Sequence, residues 1–325
     1  MNIFVTGGAG YIGSAAAEAL LKAGHTVTVY DSLITGHRAA VPQGARFIHA
    51  GLEDSQALAE TLTGERFDAV MHFAAFIEAG ESMKDPGRFY QNNLANTLQL
   101  IESAVRAGVQ RFVLSSSAAV YVSSDEPLTE ASPLGPTNVY GHTKLMAEQA
   151  LDWYSRIHGL RFAALRYFNA CGALPGRGEA HQPESHLIPL VLQVALGQRP
   201  SASIFGTDYA TPDGTCIRDY IHIADLVSAH LLGLEALADC ERLVYNLGSG
   251  AGYSVREVIE TARAVTGHAI PAVESPRRPG DPARLVASSA KIRAELGWKP
   301  AHENLQDIVR SAWEWHKSHP KGYEA

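Results

Sequence analysis

Three cysteines in 325 residues are too few and too scattered for a disulfide scaffold or a thiolate metal centre. Cys171, Cys216 and Cys240 have no metal-type spacing and are odd in number, so they read as reduced thiols of a cytoplasmic protein. No run approaches the 18 apolar residues that a membrane-spanning helix needs, and Met1-Asn2-Ile3-Phe4-Val5 opens on a strand pattern with no basic, then apolar, leader. Neither membrane insertion nor secretion is expected. The chain also lacks any block of Lys or Arg, and its net charge is −7, which argues against a nucleic-acid partner. Repeats and low-complexity tracts are absent. What remains, 46% hydrophobic and 19% charged residues, suits a globular chain of one large domain or two associated ones.

The first half alternates strand and helix. Ile3-Phe4-Val5 reads as a buried strand, Gly7 to Gly13 as a turn, and Ile12, Ala16, Ala19, Leu20 and Ala23 as the apolar face of a helix stopped by Gly24. Thr26 to Tyr30 is a second strand ending at Asp31. This βαβ order implies a Rossmann-type, doubly wound parallel α/β sheet. Further strands are expected at 45–49, 69–73, 111–115 and 162–166, with helices at 54–62, 88–107 and 140–158. Beyond Cys171 a Gly/Pro/His/Glu-rich stretch interrupts the rhythm. We place a boundary there: residues 1–171 form a cofactor-binding unit, and residues 172–325 form mainly a smaller α+β substrate unit, with segments allowed to return to the first. Strands at 203–205 and 244–247 and helices at 225–237, 254–265, 288–296 and 304–316 are expected in the second part, with His316 to Ala325 fraying.

Three glycines, Gly7, Gly10 and Gly13, lie between strand and helix, where they serve a tight turn, room for a pyrophosphate and close helix packing. The anion then meets free N–H groups at the helix start. Asp31, at the end of the second strand, is placed to accept from a ribose diol and to repel a 2′-phosphate, favouring NAD over NADP. Tyr140 and Lys144 are four apart on a helix face and follow Ser115-Ser116-Ser117 at the end of an apolar strand. An ammonium beside a phenol favours phenolate, bringing Tyr140 toward useful base strength. The same spacing also describes a surface helix pair, and Ser117 a strand-end hydrogen bond.

With these residues the chain resembles the extended short-chain dehydrogenase/reductase family, and within it the nucleotide-sugar 4-epimerases. The resemblance runs through TGGAGYIG (6–13), HFAAFIEAGES (72–82), NN (92–93), SSSAAVY (115–121), YGHTK (140–144), LRYFNACGA (165–173), IFGTDYATPDGTCIRDYIH (204–222), NLGSG (246–250) and RRPGD (277–281). It implies reversible, NAD-dependent epimerisation at C4 of UDP-glucose and UDP-galactose, a step of galactose metabolism, with other UDP-N-acetylhexosamines or UDP-pentoses as the alternative substrates. Tyr140 is then the base, Lys144 holds the nicotinamide ribose, and Ser117 bonds the sugar 4-oxygen. The implied cofactor set is Gly7, Gly10, Tyr11, Ile12, Gly13, Asp31, Ser32, Phe73, Ala74, Ala75, Asn93, Ser115, Tyr140, Lys144 and Tyr167. The implied substrate set is Ser117, Tyr140, Asn169, His186, Leu187, Phe205, Arg218, Arg278 and Asp281; charge alone does not separate Arg278 from Arg277. No metal is implied. A homodimer through a bundle of the helices near 93–107 and 144–157 is, with Leu98, Ile101, Ala104 and Leu151 as apolar residues that serve equally well to cover their own sheet.

Four positions depart from the family pattern or choose within it. Gly51 stands where the family commonly has an Asp for the adenine amino group, which predicts weaker NAD binding unless Glu53 or Asp54 compensates. Ala118 and Ala119 take the places of the acid and base needed by dehydratases and argue against that chemistry. Leu285, smaller than a Tyr, predicts tolerance of N-acetylated sugars.

Overall fold

The computed structural model describes residues 1–278 and 281–323, so Pro279-Gly280 of the RRPGD motif lie outside the described residues. Six strands, β1 (Asn2–Thr6), β2 (Thr26–Asp31), β3 (Arg46–His49), β4 (Ala69–His72), β5 (Arg111–Ser117) and β6 (Arg161–Tyr167), come from the first half. The second contributes β7 (Asn169–Cys171), β8 (Ala202–Phe205), β9 (Ile217–Arg218), β10 (Tyr220–His222), β11 (Arg242–Leu247), β12 (Tyr253–Ser254), β13 (Ala272–Ser275) and β14 (Arg284–Leu285). The main sheet is parallel throughout, in the order β11-β6-β5-β4-β1-β2-β3. It is the doubly wound Rossmann-type sheet expected. The chain builds outward from β1 to β3 and then returns to place β4 on the other side of β1, which opens a crevice past the carboxyl ends of β1 and β4.

Helices α1 (Tyr11–Lys22), α2 (Ser55–Gly64), α3 (Ala79–Ser82), α4 (Pro86–Phe89), α5 (Asn96–Arg106) and α6 (Val139–His158) follow in the first half. In the second are α7 (Leu187–Ala195), α8 (Ile223–Ala236), α9 (Val255–Thr266), α10 (Ala290–Leu296) and α11 (Leu305–Ser318). Apolar faces explain their placement. Leu20 of α1 and Leu226 and Leu234 of α8 cover one side of the sheet. Leu58 of α2, Leu100, Ile101 and Ala104 of α5 and Leu151 of α6 cover the other. A separate core gathers Val191 and Leu192 of α7, Val258 of α9 and Ile308 and Val309 of α11 around Ile204 of β8. Ends are chemically marked: Asn138 caps α6 by accepting from Gly141 N at 2.8 Å, and Ser254 with Glu257 forms a capping box on α9.

Residues 244–247, expected as a strand of the second part, pair as β11 with β6 and complete the main sheet, a return to the first unit of the kind the expectation allowed. Two expectations need correction. The single helix expected over 88–107 is broken into α4, a π-helical turn at Tyr90–Ala95, and α5. The wide turn lets Asn93 reach the backbone of Phe76, accepting from its N–H and donating to its C=O at 2.8 Å each. The tail is also tied down as far as Tyr323: α11 continues to Ser318, and the Tyr323 ring lies 4.9 Å from Trp315 and 5.2 Å from His37. Among the described residues no helix is long and apolar enough to cross a membrane.

Candidate active site

The crevice between β1 and β4 holds a cavity of about 290 Å³. Its lining includes Gly7, Gly10, Tyr11, Ile12, Gly13, Asp31, Ser32, Phe73, Ala74, Ala75, Ser117, Tyr140, Tyr167, Asn169 and His186, so residues far apart in sequence meet on one surface.

Sterics show why the glycines are there. Gly7 has φ +73°, and a methyl on it would overlap the backbone of Phe73 and Ala74, so the turn runs against the loop after β4. A methyl on Gly13 would strike the Gly7 carbonyl, whereas one on Gly10 would meet no atom closer than Gly7 O at 3.3 Å. Gly10 therefore leaves open space over the start of α1, where N–H groups meet an anion. Asp31 is held by N–H donors from Ala9 (2.9 Å) and Leu33 (2.8 Å), with Leu33 in the left-handed region at φ +59°. Burial raises its carboxyl pKa, and those two donors oppose the rise. Each oxygen keeps a lone pair for a diol. A cradle without side chains, a helix start and a carboxylate at the next strand end fit a dinucleotide of the NAD type.

On the opposite wall α6 starts at Val139 and aims Tyr140 inward. Gly141 permits this approach, because a methyl there would overlap the Ala119 carbonyl in the turn after β5. Tyr140 and Lys144 are both buried, with the Lys144 ammonium 5.9 Å from the Tyr140 ring centre. Lys144 donates to Ser115 O at 2.8 Å, and Ser115 Oγ donates to the Tyr167 hydroxyl at 3.0 Å. Thus Lys144, Ser115 and Asn93 stand behind the cavity wall and position what lines it. Burial pushes Lys144 down to about 8, opposed by the Glu148 carboxylate. Burial also pushes Tyr140 well above its ordinary value; Tyr167 and Glu78 add to this and Ser117 opposes it. The expected lowering of Tyr140 is therefore not built by the protein alone.

Under this pair lies a buried network. Arg166 and Glu148 form a bidentate pair, with Nε–Oε1 at 3.0 Å and Nη2–Oε2 at 2.6 Å. Ser116 donates to Glu148, Arg166 to the Tyr121 hydroxyl (2.9 Å), and Tyr121 to Asn246 Oδ1 (2.7 Å).

The remaining substrate candidates are not part of the cavity lining. Arg218 pairs with Asp281 at 2.9 Å, and the Arg278 guanidinium lies 4.0 Å from the centre of the Phe205 ring. Arg277 instead lies on Tyr209 and bonds Asp208, which separates the two neighbouring arginines. Leu187 opens α7 beside His186. Asn169 links the two groups, donating to Asp219 O at 2.7 Å. Asp219 itself went unnoticed in the sequence: fully buried, it accepts from Ser249 N (2.8 Å), Gly250 N (3.0 Å) and Ala287 N (2.9 Å), so the NLGSG segment is the cradle of that carboxylate.

His186 faces the cavity but is engaged by acids, its Nδ1 2.7 Å from Glu179 and 3.0 Å from Glu184. Although burial opposes it, Glu179 raises the imidazole pKa well above the ordinary range. His181 adds a second imidazole contact to Glu179, at 3.0 Å. These separations are those of proton-bridged pairs; two ligands about 2.1 Å from one tetrahedral ion stand about 3.4 Å apart. Tyr30, Glu78, Glu179 and His181 also line the cavity without having been singled out for the site, since isolated acids and a histidine in loops and a tyrosine on a strand carry no motif signal. Leu285 is absent from the lining and packs with Ala118, Val120, Tyr121, Leu128, Phe168 and Ala287.

Known proteins give this site its context. The model of the NAD dependent epimerase/dehydratase family matches residues 3–248. A UDP-glucose 4-epimerase of Streptomyces lividans is 50% identical over 322 residues, covering 98% of this chain and 97% of its own. A crystal structure of a UDP-glucose 4-epimerase superposes with a TM-score of 0.97 at 50% identity, covering 100% of both chains. The Bifidobacterium longum UDP-glucose 4-epimerase, solved in complex with NAD+ and UDP, gives 0.94 at 35% identity, covering 99% of this chain and 100% of that one. The dinucleotide cradle and the wall of Tyr140, Lys144 and Ser117 thus lie in a chain that belongs to the NAD-dependent epimerase/dehydratase family.

Proposed function

We infer that this chain is an isomerase that interconverts UDP-glucose and UDP-galactose by NAD-dependent epimerisation at C4. The observation that carries the reading is the placement of Tyr140 and Ser117 on the wall of a cavity whose other side is the dinucleotide cradle. Gly7, Gly10 and Gly13 with the start of α1 hold the pyrophosphate, Asp31 and Ser32 the adenosine ribose, and Phe73, Ala74, Ala75 and Tyr167 the nicotinamide end. NAD held there would supply a reversible hydride acceptor for C4 of the sugar.

Tyr140 removes the 4-hydroxyl proton, so that C4 becomes a planar ketone, and gives it back in the second half of the reaction. Ser117 steadies the 4-oxygen in both. Lys144 keeps a positive charge behind the phenol and, through Ser115, holds Tyr167 in place. Arg218 and Arg278 meet the two phosphates of UDP, Phe205 borders the uracil, and Asn169, His186, Leu187 and Asp281 complete the nucleotide grip. Binding energy spent on the nucleotide anchors the ligand while the hexose stays free to turn over between hydride transfers. Residues 1–171, with β11 added to their sheet, supply the cofactor unit, and most of 172–325 the substrate unit. The three cysteines are free, as suits the cytoplasm. Self-association through α5 and α6 is supported by exposed Leu98, Trp153 and Ile157 on those helices; Ile101, Ala104 and Leu151 are buried against the chain's own sheet.

Incubating the protein with UDP-galactose and catalytic NAD tests this. Conversion to UDP-glucose without accumulation of reduced cofactor is expected, and Tyr140→Phe should slow it by about 100-fold or more. Stoichiometric reduction of NAD, or a Tyr140→Phe enzyme of normal rate, would refute it.

A further inference from the structure

The strand order lays out the cofactor: pyrophosphate past β1, ribose past β2, and therefore the base past β3, toward the sheet edge. There the chain turns through Ala50, Gly51, Leu52 and Glu53, and all four line the cavity. The turn is fixed from outside, since the Tyr30 hydroxyl donates to Gly51 O at 3.1 Å and Gln99 Nε2 to Leu52 O at 2.8 Å. Asp54 is committed elsewhere, capping α2 by accepting from Ala57 N at 3.0 Å. Glu53 is different. Its side chain folds back over Gly51 so closely that a methyl on Gly51 would overlap both carboxylate oxygens. The carboxylate of Glu53 thus stands in the space that a side chain at position 51 would occupy.

We propose that Glu53 is the residue that selects adenine, accepting a hydrogen bond from its 6-amino group, and that Gly51 is glycine so that the carboxylate can lie there. A carboxylate only accepts, so it matches an exocyclic amine and opposes a 6-oxo group. The inference rests on the NAD reading, and of the two acids that could compensate for Gly51 it selects Glu53, so that binding is of ordinary strength.

The test compares dissociation constants of the full chain for NAD and for nicotinamide hypoxanthine dinucleotide, which carries oxygen in place of the 6-amino group, by titration calorimetry. The parent should prefer NAD by about tenfold, as one charge-assisted hydrogen bond provides. Glu53→Ala should bring the ratio to within about twofold by weakening NAD rather than by tightening the analogue. Gly51→Ala, which evicts the carboxylate while leaving Glu53 in the chain, should do the same. Equal binding of the two dinucleotides by the parent, or an undiminished preference in Glu53→Ala, overturns the role of Glu53 and leaves the cofactor reading intact. Binding of neither overturns the cofactor reading and this inference with it.

Discussion

The Glu148–Arg166 pair beneath the catalytic wall is the place where one charge can be removed with a calculable result. Glu148→Gln keeps the shape and leaves the Arg166 guanidinium buried without its carboxylate; the two side chains are only 7% and 6% exposed. Breaking a buried pair from one side costs about 3–5 kcal/mol. With an unfolding entropy of about 2.1 cal/mol/K per residue, a chain of 325 residues loses about 0.7 kcal/mol per degree near its midpoint, so Tm should fall by about 4–7 °C. Replacing both partners, in Glu148→Gln with Arg166→Met, should recover most of that, because no unpaired charge remains. The catalytic wall should feel the single change as well. Glu148 opposes the lowering of Lys144, so without it the ammonium titrates below about 8 and the alkaline limb of the rate profile moves to lower pH. Calorimetric unfolding of the three proteins without added cofactor, together with a pH–rate profile of the single variant, is the assay. A single variant within 1 °C of the parent, or a double variant no more stable than the single one, would refute the account of the pair as a buried, mutually compensating unit.

Lys144 also gives the folded protein a pH signature. Its pKa falls from 10.5 to about 8 on folding, so between those values the unfolded chain binds a proton that the folded one does not. Stability from this residue is therefore complete above pH 10.5 and is lost as pH falls through 8, a swing of about 3 kcal/mol that urea unfolding should show in the parent and not in Lys144→Met. The cradle glycines should separate by variant: Gly13→Ala, which drives a methyl into the Gly7 carbonyl, should cost about 1–3 kcal/mol of stability. Gly10→Ala should fold normally and lose about tenfold or more in NAD affinity, measured by calorimetry, since its methyl takes only ligand space. Trp153→Glu with Ile157→Lys should turn a dimer into a monomer in sedimentation if α6 is the interface, and an unchanged dimer would rule that face out.

The cofactor half was legible because its signals are local. A strand, three glycines at fixed spacing, a helix, a strand and Asp31 are contiguous, and the i,i+4 spacing of Tyr140 and Lys144 survives folding unchanged. Three kinds of feature were not legible. β11 reads as a short apolar strand anywhere in the chain, and only pairing with β6 says which sheet it joins. The π-helical turn at Tyr90–Ala95 follows from a contact of Asn93 with Phe76, 17 residues away, which no helical periodicity encodes. The choice between Glu53 and Asp54 as the acid beside Gly51, and the role of Asp219, come from what surrounds them in space: the room left by Gly51 in one case, three backbone N–H groups in two separate segments in the other. Direction of a pKa shift belongs in the same class, since the nearness of Lys144 to Tyr140 was readable and the burial that outweighs it was not.

Which reaction such a site performs is decided immediately after Ser117. Ala118 and Ala119 form a tight turn there, stitched by Ala119 N donating to Ser117 Oγ at 3.2 Å, and Gly141 packs directly on the Ala119 carbonyl. The helix that carries Tyr140 is therefore pressed against a wall whose side chains are methyl groups. Removal of water across C5 and C6 needs a proton donor and a base in addition to Tyr140, and neither Ala118 nor Ala119 can supply either. Glu78 lines the same cavity, but its charge favours the protonated phenol of Tyr140, which opposes rather than adds a second base step. Without an acid or base at 118 and 119, a 4-keto sugar formed here is set for return of hydride and proton to C4. Inversion then depends on the hexose turning over within its pocket between the two hydride transfers.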